Sequence, residues 1–200
     1  MIDGSHEYCL ALRHGRLYTE RLVPSPQPRL RPISRSPNPS TTIISGGAKG
    51  LGLEYARRAL HSGCKCLIAT SRRPQLSKEE LISLVEDHPA SAVFMVAADS
   101  GSVAAMQRVT SWAHENLPVM EKFVHAAGLI GLDSIGDVSE ERLWEVACPK
   151  VIGVHAPSNA QLPVASQHGL SSTSAVWSQS QAAHYSIANA YLDAFADSQR

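Results

Sequence analysis

Tyr185 and Asn189 stand four residues apart in His184-Tyr185-Ser186-Ile187-Ala188-Asn189-Ala190-Tyr191, a spacing that puts both side chains on one helix face. Ser172 lies thirteen residues before Tyr185, in a serine-rich segment behind a short hydrophobic lead. Lys150 falls on the face of Leu143, Val146, Ala147 and Val154, an apolar face where a lysine is unexpected. Together a phenol, a hydroxyl, an ammonium and an amide can protonate and orient a carbonyl oxygen while its carbon is reduced. Each residue alone also fits a structural part: Tyr185 in packing, Asn189 as a cap, Ser172 as a loop hydroxyl, and Lys150 reaching its ammonium to water.

What makes them a candidate carbonyl-reduction site is the stretch upstream, Thr42-Ile43-Ile44-Ser45-Gly46-Gly47-Ala48-Lys49-Gly50-Leu51-Gly52. A β-branched run breaks into a glycine loop and then a helix-forming segment, the shape of a dinucleotide-binding turn. Gly46 can leave the strand with positive φ, Gly50 lets backbone approach a pyrophosphate, and Gly52 removes a Cβ that would hold the helix off the sheet. The helix start offers free N–H groups to phosphates, so Ser45, Gly47, Lys49 and Leu51 join the candidate cofactor residues. A glycine-rich loop alone is weak evidence; a second strand about twenty residues on strengthens it. At the end of that strand stand Ser71, Arg72 and Arg73. Arginine there favours the phosphorylated nicotinamide cofactor, NADPH, against the alternative of a solvated surface pair. Asp99, past the third strand, can contact an adenine or cap the next helix.

The positioning elements alternate. Leu53, Ala56 and Leu60 give one helical face ended by Gly63, and Cys66-Leu67-Ile68-Ala69-Thr70 reads as a buried strand. Ala92–Ala97 is a third strand, followed by a helix through Val103, Met106, Val109 and Trp112. Lys122–His125 is a fourth, running into Ala126-Ala127-Gly128; Ser139 then caps a helix with Glu140 and Glu141 in its first turn. The predicted fold is α/β, a Rossmann-type doubly wound parallel sheet over 41–200. Ahead of it, residues 1–23 read as short strands with a turn at His14-Gly15, and 24–40 as a Pro/Ser/Arg-rich linker. Six arginines between Arg13 and Arg35 face the single acid Glu20, but no aromatic interleaving supports nucleic-acid binding.

Composition narrows the class. The 200 residues are 44% apolar and 18% charged with zero net charge, ordinary for one globular domain. Cys9, Cys64, Cys66 and Cys148 form neither a CxxC pair nor a metal spacing, which suggests reduced thiols inside a cell. No run approaches a membrane span and no signal segment is evident. A cytoplasmic location is expected, with a plastid left open.

The ordered set of Ser45–Gly52, Ser71-Arg72-Arg73, His125-Ala126-Ala127-Gly128, Pro149-Lys150, Ser171-Ser172 and Tyr185 to Asp193 resembles the ketoreductase domain of modular polyketide synthases, in the short-chain dehydrogenase/reductase superfamily. It is also similar to the animal fatty acid synthase ketoreductase. Leu10–Leu22 resembles the closing strands of the family's structural subdomain, and the stretches 53–58 and 174–179 resemble dinoflagellate synthases. The resemblance implies NADPH-dependent reduction of a 3-oxoacyl thioester delivered on the phosphopantetheine arm of an acyl carrier protein, beside other synthase domains. Tyr185 would donate the proton, Lys150 would assist it, Asn189 would help replenish it, and Ser172 would orient the ketone oxygen. The family's exchange of lysine and asparagine positions fits Lys150 and Asn189. Ala126, Ala127 and Gly128 would line the cofactor.

The resemblance further implies a substrate-steering role for Trp177, eight residues before Tyr185, and an L-configured product; Ile130-Gly131-Leu132-Asp133 lacks the signature of the opposite outcome, and no histidine occupies position 182. Three departures stand beside it. Val164–Leu170 is poor in apolar residues and holds a glycine, most of the front subdomain is missing, and the domain reads as incomplete at its C-terminus. These imply an open edge, weak NADPH binding and little turnover. A noncatalytic nucleotide-binding fragment is therefore the rival reading, with a stand-alone short-chain dehydrogenase third.

Overall fold

The computed structural model describes residues 11–19, 21, 23–24, 40–74, 76, 78–159, 164–177 and 179–199. The expected strand residues 7–10 and Leu22, and all but the ends of the 24–40 linker, lie outside them. The chain divides into two compact units, Met1–Arg35 and Ser36–Arg200.

In the first unit, β1 (Ala11–Arg13) pairs antiparallel with β2 (Arg16–Tyr18), Leu12 opposite Leu17. His14 and Gly15 both take positive φ, 50° and 74°, as a two-residue hairpin turn requires to match strand twist.

The second unit carries β3 (Thr41–Ser45), α1 (Gly50–His61), β4 (Cys66–Ser71), α2 (Lys78–Glu86), β5 (Ala92–Ala97), α3 (Val103–Asn116), β6 (Met120–His125), α4 (Glu140–Val151), α5 (Ala156–Asn159), β7 (Ser166–Gly169) and α6 (Ala183–Ser198). Single 3-10 turns occupy Gly153–His155 and Thr173–Ala175. All five strands run parallel in the order β5-β4-β3-β6-β7. The doubly wound parallel sheet predicted from the strand and helix alternation is the fold observed.

Alternation along the strands builds a core on each face. Ile43, Ile68, Phe123 and Met120 pack with Met106, Val109 and Ala113 of α3 on one side. Their neighbours Ile44, Leu67 and Val124 pack with Leu53, Ala56 and Leu60 of α1 and Leu84 of α2 on the other. Side chains of period two in a strand covered on both faces must all be apolar or paired, and β3 is buried at every position. The chain order reverses between β3 and β6, so a crevice opens outside the carboxyl ends of these two strands, the usual ligand position in such sheets.

β7 is four residues long and only partly buried, in keeping with the weak apolar content of Val164–Leu170. Beside it, a groove of about 530 Å³ is lined by Ser166, Gln167, Gly169, Leu192 and Phe195 among others. Neither Lys150, Ser172 nor Tyr185 lines it. No helix among the described residues is long and apolar enough to cross a membrane.

Candidate active site

The carboxyl ends of β3 and β6 are Ser45 and His125, which are register partners. Their side chains meet at 2.6 Å between Oγ and Nδ1. Burial and the neighbouring Lys150 charge push the His125 imidazole down to about 3, against the opposing pull of the Pro149 carbonyl. It is therefore neutral at physiological pH and joins the two strands without adding charge to the crevice.

The glycine turn follows directly. Gly46 has φ +75°, and a Cβ there would lie 2.7 Å from the Ala127 backbone, so β3 can leave the sheet against the segment after β6 only with glycine. At Gly52 a Cβ would come within 2.2 Å of the Gly46 carbonyl, the contact that seats α1 against the turn. Gly47 donates its N–H to Thr70 O at 3.0 Å, which pins the loop to the end of β4. Lys49 precedes α1 with no side-chain cap, and nothing lies within 4 Å of a Cβ built on Gly50. An uncapped helix start in an open cradle fits a pyrophosphate: the N–H groups are directed and the positive helix end is unshielded. Lys49, Gly50 and Leu51 are exposed, whereas Gly47 is buried and so supports the cradle from behind.

Arg72 and Arg73 are exposed immediately after β4, with Ser71 its last residue. Asp99 does not cap α3. Its Oδ1 accepts the Gly101 N–H at 2.9 Å, and the cap is Ser102, whose side chain accepts from Ala105 N. Its exposed carboxylate stands at the end of β5, two strands from the switch point.

Lys150 and Tyr185 lie side by side, and the segment leading into Ser172 is tied to Lys150 at Leu170 and to α6 at Ser171. Lys150 is only 4% exposed, so its ammonium does not reach water. It donates instead to Leu170 O at 2.9 Å and sits 6.0 Å from the centre of the Tyr185 ring. Gly128 covers it from the β6 side: a Cβ there would be 2.9 Å from Lys150 Cε. Burial pushes Lys150 down to about 8, with the Asp193 carboxylate opposing. Lys150 thus holds the chain end that leads from β7 into Ser171 and Ser172.

Ser172 starts the 3-10 turn Thr173–Ala175, and its Oγ accepts from Ser174 N at 3.2 Å and from Ser174 Oγ at 2.9 Å. With both lone pairs engaged, its own O–H is left to donate. Asn189, fully buried inside α6, donates Nδ2 to Tyr185 O at 2.8 Å, while its Oδ1 has no partner among the described residues. Ser171 Oγ donates to Asn189 O at 3.3 Å, tying the serine segment to the same helix. Trp177 lies half exposed just past the turn, its backbone N–H donating to Thr173 O.

Two features escaped the reading of the sequence. One is the His125–Ser45 contact, for which a histidine ending a hydrophobic strand was the available signal. The other is a cluster of Asp133, Arg142 and His184, which meet only through the loop between β6 and α4.

A parallel sheet with this strand order, a glycine turn at its switch point, and a lysine and tyrosine side by side behind it define a nucleotide-dependent oxidoreductase fold. The KR domain model matches residues 40–200. Erythronolide synthase EryA3 of Saccharopolyspora erythraea is 30% identical over 207 residues, covering 100% of this chain and 6% of that protein. The 6-methylsalicylic acid synthase of Aspergillus terreus is 30% identical, covering 90% of this chain and 11% of that one. Among solved structures, the PlmKR1 ketoreductase from the first module of phoslactomycin biosynthesis in Streptomyces sp. HK803 superposes with a TM-score of 0.81 at 30% identity. That match covers 96% of this chain and 45% of the other. An A1-type ketoreductase superposes at 0.78 with 27% identity, covering 99% and 42%. The chain belongs to the KR domain family, the ketoreductase domains of polyketide synthases within the short-chain dehydrogenase/reductase superfamily. It spans less than half of those solved ketoreductases and about a tenth or less of the two synthases.

Proposed function

We propose that this chain carries out NADPH-dependent reduction of a 3-oxoacyl thioester to the 3-hydroxyacyl thioester during polyketide or fatty acid chain extension. The substrate arrives on the phosphopantetheine arm of an acyl carrier protein, and the other domains of a synthase are the working partners. The observation that carries this reading is the burial of Lys150 between Gly128, Leu170 O and the Tyr185 ring, next to an uncapped glycine turn.

Bound at the turn, the nicotinamide supplies a hydride for the β-carbon of the thioester. The remaining work falls to this chain. Negative charge develops on the ketone oxygen, and Tyr185 donates its phenolic proton to it. Ser172, whose O–H is left free to donate, hydrogen-bonds the same oxygen; that bond strengthens as charge grows. Lys150 places a positive charge beside the phenol as the proton leaves, and does so from a poorly solvated position where its field is least screened. Asn189 keeps one acceptor unpaired in the interior of α6, a place for a water that returns protons to Tyr185. Arg72 and Arg73, exposed after β4, would hold the 2′-phosphate, and Ala126 and Ala127, whose backbone lies against Gly46, would line the cofactor.

Loss of NADPH absorbance on addition of a 3-oxoacyl pantetheine thioester, compared with the matching free 3-oxo acid, tests the reading. Consumption with the thioester, and little with the free acid, is expected. Equal consumption of both would favour a reductase of small free ketones.

A further inference from the structure

His184 is 1% exposed in the first turn of α6, immediately before Tyr185, and the proposed reaction gives it no part. Its Nε2 lies 3.0 Å from Asp133 Oδ2, but off the N–H direction, so neither ring nitrogen has a directed hydrogen-bond partner among the described residues. Burying an imidazole this way costs free energy unless a charge or a structural task offsets it. The charge is present: Asp133 Oδ2 also receives Arg142 Nε at 2.9 Å, and Arg142 reaches Glu145 Oε2 at 2.6 Å.

The same loop makes two further grips. Asp133 donates its N–H to Gln181 O at 2.7 Å, and Gln181 holds φ +66°, a left-handed conformation that a non-glycine residue adopts at a cost. Gly131 lies flat on the imidazole: a Cβ there would be 2.0 Å from His184 Nε2 and 2.7 Å from Val146. Gly128, near the start of the loop, rests on Lys150. One loop therefore touches the lysine with one end and the start of the tyrosine helix with the other.

From this geometry we infer that Asp133 and His184 are positioning residues: together they fix the start of α6, and hence the stance of Tyr185 against Lys150. The inference rests on the proposed function only for its kinetic consequence. The structural consequence, a locked start of α6, stands apart from it.

Five versions of the full chain test it: the unaltered protein, Asp133→Ala, His184→Leu, the double variant, and His184→Gln, which keeps a polar side chain against Asp133. Amide hydrogen exchange is read over residues 179–190, and hydride transfer from NADPH to a 3-oxoacyl pantetheine thioester is read in a single turnover. Both single variants should speed exchange in that window about tenfold or more and slow transfer by about ten- to a hundredfold, with apparent KM changed less than about threefold. The double variant should be no slower than the worse single one, and His184→Gln should recover most of the rate. Additive losses, or unchanged exchange and rate in folded variants, overturn the inference. If His184→Leu does not fold, Asp133→Ala decides, because Asp133 is at the rim of the cluster and 30% exposed. If the unaltered chain transfers no hydride, the proposed function falls, and the exchange data alone still support or overturn the clamp.

Discussion

Replacing Lys150 by methionine keeps the length of the stem and removes the charge, and the consequence for stability follows from the protonation state. Lys150 is pushed from its ordinary 10.5 down to about 8 by burial. A drop of that size corresponds to roughly 3 kcal/mol against the charged form in the folded protein. Below pH 8 the folded protein carries this cost in full. Between about pH 8 and 10.5 the unfolded chain binds more protons than the folded one, so stability rises with pH; above 10.5 the cost is gone. Methionine never carries it, but leaves Leu170 O without its donor, a loss of about 1 kcal/mol. Lys150→Met should therefore be more stable than the unaltered protein by about 2 kcal/mol at pH 7, with the advantage shrinking and reversing by pH 10.5. Urea unfolding of both proteins from pH 7 to 11 reads the difference directly, and other titrating groups cancel between the two. A difference that stays flat with pH would show that Lys150 is not held in a charge-hostile site, and the explanation of its role would fail with it.

Gly52→Ala should lower stability by more than about 2 kcal/mol and weaken cofactor binding, because its Cβ meets the Gly46 carbonyl at 2.2 Å, while Gly50→Ala, facing open space, should cost only about 1 kcal/mol. Thermal melts and cofactor titration separate the two, and equal effects would mean the turn is not packed as described. Neutralising Arg72 and Arg73 together should weaken NADPH binding far more than NADH binding; equal losses would remove the basis for preferring the phosphorylated cofactor. With Trp177 in place the 3-hydroxyacyl product should be L-configured, and Trp177→Ala should erode the preference. A predominantly D-configured product on chiral chromatography would show that the indole does not steer the thioester.

Strand and helix positions in the second unit were legible because each buried strand carries a short apolar or β-branched stretch, such as Ile43-Ile44 and Leu67-Ile68, and the longer helices carry a 3.6-residue apolar stripe. Ser139 is the cap its place before Glu140 and Glu141 suggested, accepting from Arg142 N. Helix α2 is less plain: Leu84 is its one buried residue described, so it has little stripe to read. Asp99 read as an adenine contact or as the cap of α3; the cap is Ser102, three residues on, and Asp99 accepts the Gly101 N–H instead. Lys150 misled in one respect. A lysine on an apolar face ordinarily extends to water, and here Leu170 O and the Tyr185 ring occupy the path. The Asp133–His184 contact spans fifty-one residues, and no local pattern marks a pair brought together by a loop.

The central claim is that Tyr185 protonates a ketone reduced from a cofactor seated on the glycine turn. Its most direct test is a single turnover with the chain in excess, using NADPH carrying deuterium at the transferable C4 position and a 3-oxoacyl pantetheine thioester, with the product read by mass spectrometry. Deuterium should appear at C3 of the hydroxyacyl product, and Tyr185→Phe should slow its appearance by about a hundredfold or more while binding NADPH normally. Transfer that is undiminished in Tyr185→Phe, or no transfer from the unaltered chain under saturating cofactor, would contradict the account.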